Sequence, residues 1–289
     1  MDVPTFLEQL GADLPGPLNR VIVDRVDSTN RLARRVVATY ATDDVAVPAF
    51  TVLALEQTAG RGRLDRSWTS PRGRGVYGTR VVPLPEGGEA PAERALQSLP
   101  LLSGVGLARA LGHLLARGAS EAATTRCTLK WPNDLLVGGR KVGGLLAESL
   151  APGGAPPVAL VGFGVNLLRP SRGPELPAGA TSVADHVPAA PALGQLARLL
   201  LQGLEAELAH LGELAYAVDA YRRLSAHRPG DRVRCRVGDR VVDGELLGFS
   251  PEGFLRLAQE GQELVVGAGE IVEEWVPEWH GRPAGAEEP

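Results

Sequence analysis

The apolar positions fall into short strand-like runs separated by longer helical stretches. Residues 20–26 and 50–56 are apolar strand patterns, and Asp27, Ser28, Thr29 and Asn30 between them form a cap signal for a helix at about 30–40. The first unit is thus strand, helix, strand. Val76–Val82 reads as a further strand, Pro83–Pro91 as a loop, and roughly 92–117 as a helix. A strand at Thr125–Trp131 precedes Leu135–Val137 and Val142–Leu150, which Gly138, Gly139 and Arg140 separate as a hairpin signal. Val158–Leu168 is continuously apolar, the pattern of a buried strand. Helical stretches follow at about 192–211 and 213–226.

The pattern changes at Arg228-Pro229-Gly230. Beyond it, short alternating stretches rich in Val and Leu are punctuated by Gly at 231–237, 240–248, 253–258 and 262–266. This predicts an α+β domain over 15–227 followed by a small β-barrel over 228–276. Residues 277–289 carry no apolar period and are expected to be disordered.

Composition narrows the class. At 289 residues and 44% apolar, the chain can build one large core and a small second domain. Its apolar stretches are broken by Gly, Arg or Asp, so no run of about 18 residues is expected to span a bilayer, and Met1–Leu10 lacks the pattern of a secretory leader. Cys127 and Cys235 stand far apart and the five histidines are scattered, which predicts neither a disulfide framework nor a structural metal and points to the reducing cytoplasm.

A net charge of −4 argues against general nucleic-acid binding. Positive charge is local instead: Arg61, Arg63, Arg66, Arg72 and Arg74 share one stretch whose only acid is Asp65. That suits a small anionic ligand or a solvated basic loop. The 30 basic residues include only two lysines, Lys130 and Lys141, so a compact ammonium is kept where a guanidinium does not serve.

Common nucleotide motifs fail. There is no G-x-x-x-x-G-K-[ST], and Gly60–Asp65 and Gly162–Asn166 both lack the third glycine of a dinucleotide loop. No G-x-S-x-G elbow or Cys-His signature suggests a covalent nucleophile.

Four unusual segments remain: GRGRLDRSW at 60–68, KWPNDLL at 130–136, KVGGLLAE at 141–148 and GFGVNL at 162–167. Together, in this order and beginning from Asp27-Ser28-Thr29-Asn30, the chain resembles the biotin protein ligases. The Arg-rich motif separates these from their lipoate-ligase relatives. The resemblance implies an α+β fold with a mixed sheet and flanking helices, like the class II aminoacyl-tRNA synthetases, plus a C-terminal SH3-like barrel. It implies biotin and ATP as substrates, Mg2+ with the nucleotide, and as partner a biotin carboxyl carrier domain of acetyl-CoA or a related carboxylase.

Attack of a carboxylate on the α-phosphate of ATP needs no general base, since the acid is already ionised, but it brings two anions together. Like unit charges about 4 Å apart repel by roughly 4 kcal/mol at an effective dielectric of 20, so such a site must supply cations. By resemblance, Lys130 meets both the biotin carboxylate and the α-phosphate, while Arg61, Gly62 and Arg63 lie on a loop that orders over the ligand and keeps water from the adenylate. Ser28, Thr29, Asn30 and Gln57 match positions that serve biotin, whose ureido ring needs neutral oxygens and amides; Ser28 and Thr29 also read as helix caps, a role that can coexist with binding, and Gln57 as a solvated strand end. Trp68 corresponds to an aromatic under the ligand or is an ordinary core residue, Asn166 to an adenine contact or a turn former, and Gly143 and Gly144 to a close backbone approach or a bulge. Asp134 is left between magnesium and local turns. Lys141, beside the hairpin turn, is expected to be solvated or to hold the loop.

A lipoate or octanoate ligase of the same fold and a non-catalytic biotin-responsive regulator are the rival readings, and a homodimer stays open. Only about 20 residues precede the first predicted core strand, too few for a winged helix-turn-helix, so neither DNA nor membrane is an expected partner. In a mobility-shift assay at physiological salt, operator-like DNA is expected to show no saturable, sequence-specific binding below micromolar, with or without biotin and ATP.

Overall fold

The chain enters through a helix that the apolar pattern did not announce, α1 (Val3–Leu10), whose first turn is capped by the Thr5 N–H donating to Asp2 Oδ1 at 2.9 Å. Phe6 and Leu10 are its buried residues, and the compact first unit therefore starts ahead of residue 15. The computed structural model describes residues 1–11, 19–43, 45–85, 91–118, 126–151, 156–171 and 175–272; the predicted tail at 277–289 lies outside them.

β1 (Arg20–Val26), α2 (Thr29–Thr42) and β2 (Phe50–Gln57) form the predicted strand–helix–strand unit, and β1 and β2 pair in parallel. β3 (Gly75–Pro83) returns antiparallel to β2. After the long α3 (Pro91–Gly118), β4 (Cys127–Lys130), β5 (Asp134–Val137) and β6 (Arg140–Leu150) form a meander. Its β5–β6 turn is Gly138-Gly139, with φ of 58° and 72°, values that favour glycine in a two-residue hairpin turn. β7 (Val158–Asn166) inserts between β3 and β6, giving the sheet order β1-β2-β3-β7-β6-β5-β4. The expected mixed sheet is present, with one parallel pair.

α3, α4 (Leu193–Leu208) and α5 (Leu214–Leu224) pack together over one face of this sheet. By length and apolar composition α3 could cross a bilayer, contrary to the sequence expectation, but 67% of its apolar window is buried inside the protein. It is apolar on most sides because it is buried on most sides. Alternation sends Arg80 of β3 towards this layer, where its Nε donates to Glu205 Oε1 of α4 at 2.6 Å. Neighbouring Val81 joins the other layer, where Ala33 and Val37 of α2 close over Phe50, Val52, Val158 and Leu160. α2 covers only part of that second face.

The second unit comprises His227–Ser250 and the residues from Phe254 onward, while Pro251–Gly253 cluster with the first. It holds β8 (Arg232–Val237), β9 (Arg240–Phe249), β10 (Leu255–Gln259), β11 (Gln262–Val266) and β12 (Glu270–Ile271). They form an antiparallel sheet in the order β11-β10-β9-β8-β12, with a register shift between Arg256 and Leu257, an arrangement consistent with a small barrel-like domain.

α3 and α4 touch backbone to backbone. A Cβ on Gly106 would lie 2.5 Å from the Gly203 carbonyl oxygen, and one on Gly203 would lie 2.4 Å from that of Gly106. Helix propensity alone makes Gly203→Ala stabilising by about 1 kcal/mol. The contact reverses the sign: destabilisation by about 1–3 kcal/mol is expected, read as a lower midpoint in urea.

Candidate functional site

The four motifs meet on the sheet face that α2 covers only in part. Three glycines, Gly144 of β6 with Gly162 and Gly164 of β7, fall on this face, and Gly144 lies opposite Gly164 in the register. Each leaves room for a group from elsewhere. A Cβ on Gly162 would lie 2.3 Å from Asn30 Oδ1, one on Gly164 would lie 2.5 Å from Trp68 Nε1, and one on Gly144 would press Lys141 Cε at 3.4 Å. Gly143 points the other way, where a Cβ would meet the Gly164 carbonyl at 2.7 Å and Leu135 at 2.9 Å. Strand packing on that side leaves no space for a side chain at Gly143.

The β5–β6 pairing contains a bulge. Leu135 faces Gly143 but Leu136 faces Lys141, so β6 carries one extra residue at Val142. The slip turns Lys141 onto the same face as Gly144 and Asp134. Lys141 Nζ lies 2.6 Å from Asp134 Oδ1 and 5.5 Å from the Trp68 ring centroid, while Lys130 Nζ approaches Asp134 Oδ2 at 3.7 Å from β4. Both lysines of the chain therefore share one carboxylate. Lys141 is no solvated turn residue; its ammonium reaches into the site, and it is the more open of the two, with 30% of its side chain exposed against 11% for Lys130. Beneath them, burial raises the pKa of the Tyr221 phenol, and the nearby Asp134 carboxylate raises it further.

Asp134 stands at the start of β5, fixed by Asn133. Asn133 Nδ2 donates to the Leu145 carbonyl at 2.7 Å, and the Leu145 N–H returns to the Asn133 carbonyl at 2.9 Å. Lys141 is held from its other side by a segment for which the sequence offered no reading. Its N–H donates to the Gly179 carbonyl and its carbonyl accepts from the Thr181 N–H, while Asn166 Nδ2 donates to the Thr181 carbonyl at 3.1 Å. Thr181 Oγ1 meets both Asp185 and His186. Burial opposes ionisation of Asp185, yet hydrogen bonds from Arg169, Ser182 and Thr181 outweigh it and hold its carboxyl well below the usual range. Burial, with help from Arg140, lowers His186.

The N-terminus of α2 supplies the other end. Ser28, Thr29 and Asn30 are all buried. Ser28 occupies the N-cap position without a side-chain capping bond, so capping does not account for its hydroxyl. Gln57 Oε1 accepts from the Thr29 N–H at 2.8 Å and from its hydroxyl at 3.1 Å, and Gln57 Nε2 donates to Ser70 Oγ. Gln57 is therefore occupied in positioning Thr29. Thr79, fully buried on β3, donates to Asn30 Oδ1 at 2.6 Å and lies 2.8 Å from Thr29 Oγ1. Thr79 and Ser70 carried no sequence signal, since isolated polar residues in a strand and a loop have none.

The Arg-rich segment is a hairpin-like loop. Trp68 N–H donates to the Gly60 carbonyl at 2.8 Å, Gly62 N–H to the Arg66 carbonyl at 2.7 Å, and Leu64 and Asp65 at its tip have φ of 54° and 55°. Its five arginines do not converge. Arg61 turns to Glu148 at 3.3 Å, Arg72 pairs with Asp24 of β1, and Arg74 bonds Ser171. Arg63 sits beside Gly62 in the loop, while Arg61 reaches Glu148 on β6 and Arg72 reaches β1. Among the described residues no group of three or more His, Cys, Asp or Glu could hold a metal ion.

Comparison with known proteins agrees with this architecture. The model of the biotin/lipoate A/B protein ligase family matches residues 23–166. The chain is 31% identical over 257 residues to the biotin–[acetyl-CoA-carboxylase] ligase of Mycobacterium tuberculosis, covering 87% of each chain. It is 32% identical over 251 residues to the enzyme of the same name from Paracoccus denitrificans, covering 86% of this chain and 97% of that one. A biotin protein ligase from Aquifex aeolicus, solved in complex with biotin and ATP, shares the fold with a TM-score of 0.67 at 23% identity, over 89% of this chain and 98% of that one.

Removing the shared carboxylate leaves two ammoniums facing each other on a half-covered sheet. Asp134→Ala is expected to destabilise the first unit by about 3 kcal/mol. Pairing it with Lys130→Met is expected to recover part of that loss, measured by urea denaturation of the single and double variants.

Proposed function

The chain belongs to the biotin/lipoate A/B protein ligase family, and from that premise we propose that it is an ATP-dependent biotin protein ligase. It joins biotin and ATP into biotinyl-5'-AMP and passes the acyl group to one lysine of a biotin carboxyl carrier domain. The observation that carries this reading is the convergence of Lys130, Lys141 and Asp134 beside Trp68 on a glycine-lined sheet face.

In the first step a carboxylate oxygen of biotin attacks the α-phosphorus, the bond to the bridging oxygen breaks, and pyrophosphate leaves. Two anions meet, and this chain answers with cations held in place beforehand. Lys141 is the more open ammonium and lies over the Trp68 ring, 5.5 Å from its centroid, so it is the charge a ligand packed beside that indole meets first. Lys130, more deeply buried, sustains the positive potential behind it and holds Asp134 in register. Lys141 thus joins Lys130, which the resemblance implies meets both the biotin carboxylate and the α-phosphate. In the second step the acceptor amine attacks the acyl carbonyl, the bond to AMP breaks, and a proton is released to solvent.

The ureido end is assigned to the α2 side, where Ser28 offers a hydroxyl not used in capping and Thr29 is oriented by Gln57. Arg61, Gly62 and Arg63 belong to the loop that covers the adenylate and delays its hydrolysis. Asn166 bears on the adenine side through the segment that also anchors Lys141. With Asp134 already engaged by two lysines, the described residues do not form a cage for Mg2+; magnesium arriving on the ATP phosphates fits this donor set better. The free, buried Cys127 and Cys235 accord with action in the reducing cytoplasm.

The test is exchange of labelled pyrophosphate into ATP, with biotin, lipoate and octanoate compared. Exchange is expected with biotin alone; equal exchange with octanoate would replace the substrate assignment. Lys141→Gln is expected to lower the exchange rate at saturating substrates on the order of a hundredfold, with an unchanged unfolding midpoint.

A further inference from the structure

Glu148 is an acid beside a site that must receive anions, and nothing in the reaction above uses it. It ends the KVGGLLAE motif on β6, with 19% of its side chain exposed. Three groups from two other elements close on it. Asn30 Nδ2 of α2 donates to Oε2 at 2.8 Å, Arg61 Nη1 of the loop donates to Oε1 at 3.3 Å, and Arg34 Nη2 lies 3.5 Å from Oε1.

The same contacts complete a circuit. Asn30 is pressed on the bare backbone of Gly162, its oxygen takes the Thr79 proton, and its nitrogen is spent on Glu148. From Thr29 the path runs through Gln57 and Ser70 to the Trp68 carbonyl at the far end of the loop. The loop is therefore tied to α2 at both ends, at Arg61 through Glu148 and at Trp68 through Ser70. Arg61 also lies 3.8 Å from Asp65, but that carboxylate is almost fully exposed and its pull is screened by solvent, so Glu148 is the acid that orients the guanidinium.

We propose that Glu148 is a positioning residue, which seats Arg61 and Asn30 in their working arrangement before substrate arrives. This rests on the ligase reading above. Loss of the charge frees the loop and the Asn30 amide together, and the binding of biotin and adenylate weakens while the chemical step, carried at the Lys141 end, changes little.

The experiment compares wild type, Glu148→Gln, Glu148→Ala, Arg61→Gln and the double variant Arg61→Gln/Glu148→Gln. It measures KM for biotin, kcat by pyrophosphate exchange, trypsin cleavage within 60–68, and the thermal midpoint. Glu148→Gln, which keeps the shape and an acceptor for Asn30, is expected to raise KM about tenfold with kcat within about threefold, and to speed cleavage. The double variant is expected to be no worse than Arg61→Gln, because the two act as one unit. An unchanged KM, additive losses, or a lower midpoint with unaltered KM and cleavage would overturn the proposal. A lowered KM would also overturn it, making Glu148 a cover that competes with substrate. If the wild type shows no biotin-dependent exchange, the ligase reading fails, and Glu148 is then judged on whether Glu148→Gln still speeds loop cleavage.

Discussion

Two like charges held on one acid are the constraint around which the rest is arranged. Asp134 is what allows Lys130 and Lys141, on different strands, to stand together on a partly covered sheet. Two ammoniums side by side repel, and a carboxylate between them offsets that repulsion. The carboxylate has to stay where it is, and the reciprocal Asn133–Leu145 hydrogen bonds keep it there. The indole needs a flat seat beside these charges, which Gly164 provides. Removing side chains from the centre of a sheet costs strand stability, and here that cost coincides with the place where a ligand requires room.

Most of the fold could be read from hydrophobic period, because strands and helices here carry strong patterns and firm punctuation. α1 escaped because eight residues containing one early proline hold too few turns to show a period, and its apolar face is meaningful only against α4. β12, two residues long, has no pattern at all. Apolar α3 was read as helix but not as a continuous bilayer-length stretch, since glycines and arginines that interrupt it in sequence are absorbed by packing.

The site was legible as motifs and illegible as roles. Composition singled out both lysines, but which one opens to the ligand depends on a one-residue bulge at Val142, and strand alternation counted along the sequence puts Lys141 on the wrong face. Counting charges likewise gathered five arginines into one cluster. The acids that separate them, Asp24 and Glu148, come from strands distant in sequence. Thr79 and the 179–181 segment act only through partners that folding brings near, so no local pattern could name them.

The strand order carries a consequence for how the protein is made. β7 is the central strand of the site, yet it lies between β3 and β6, with Gly75 facing Asn166 across a long stretch of chain. Pairings so far apart close slowly, because loop entropy must be overcome before their contacts form. A ribosome-bound chain can fold the β1–α2–β2 unit early and still lack any place for a ligand until residue 166 has emerged and threaded. Ligand can then engage only the finished sheet, and by mass action it draws the population away from every half-threaded form.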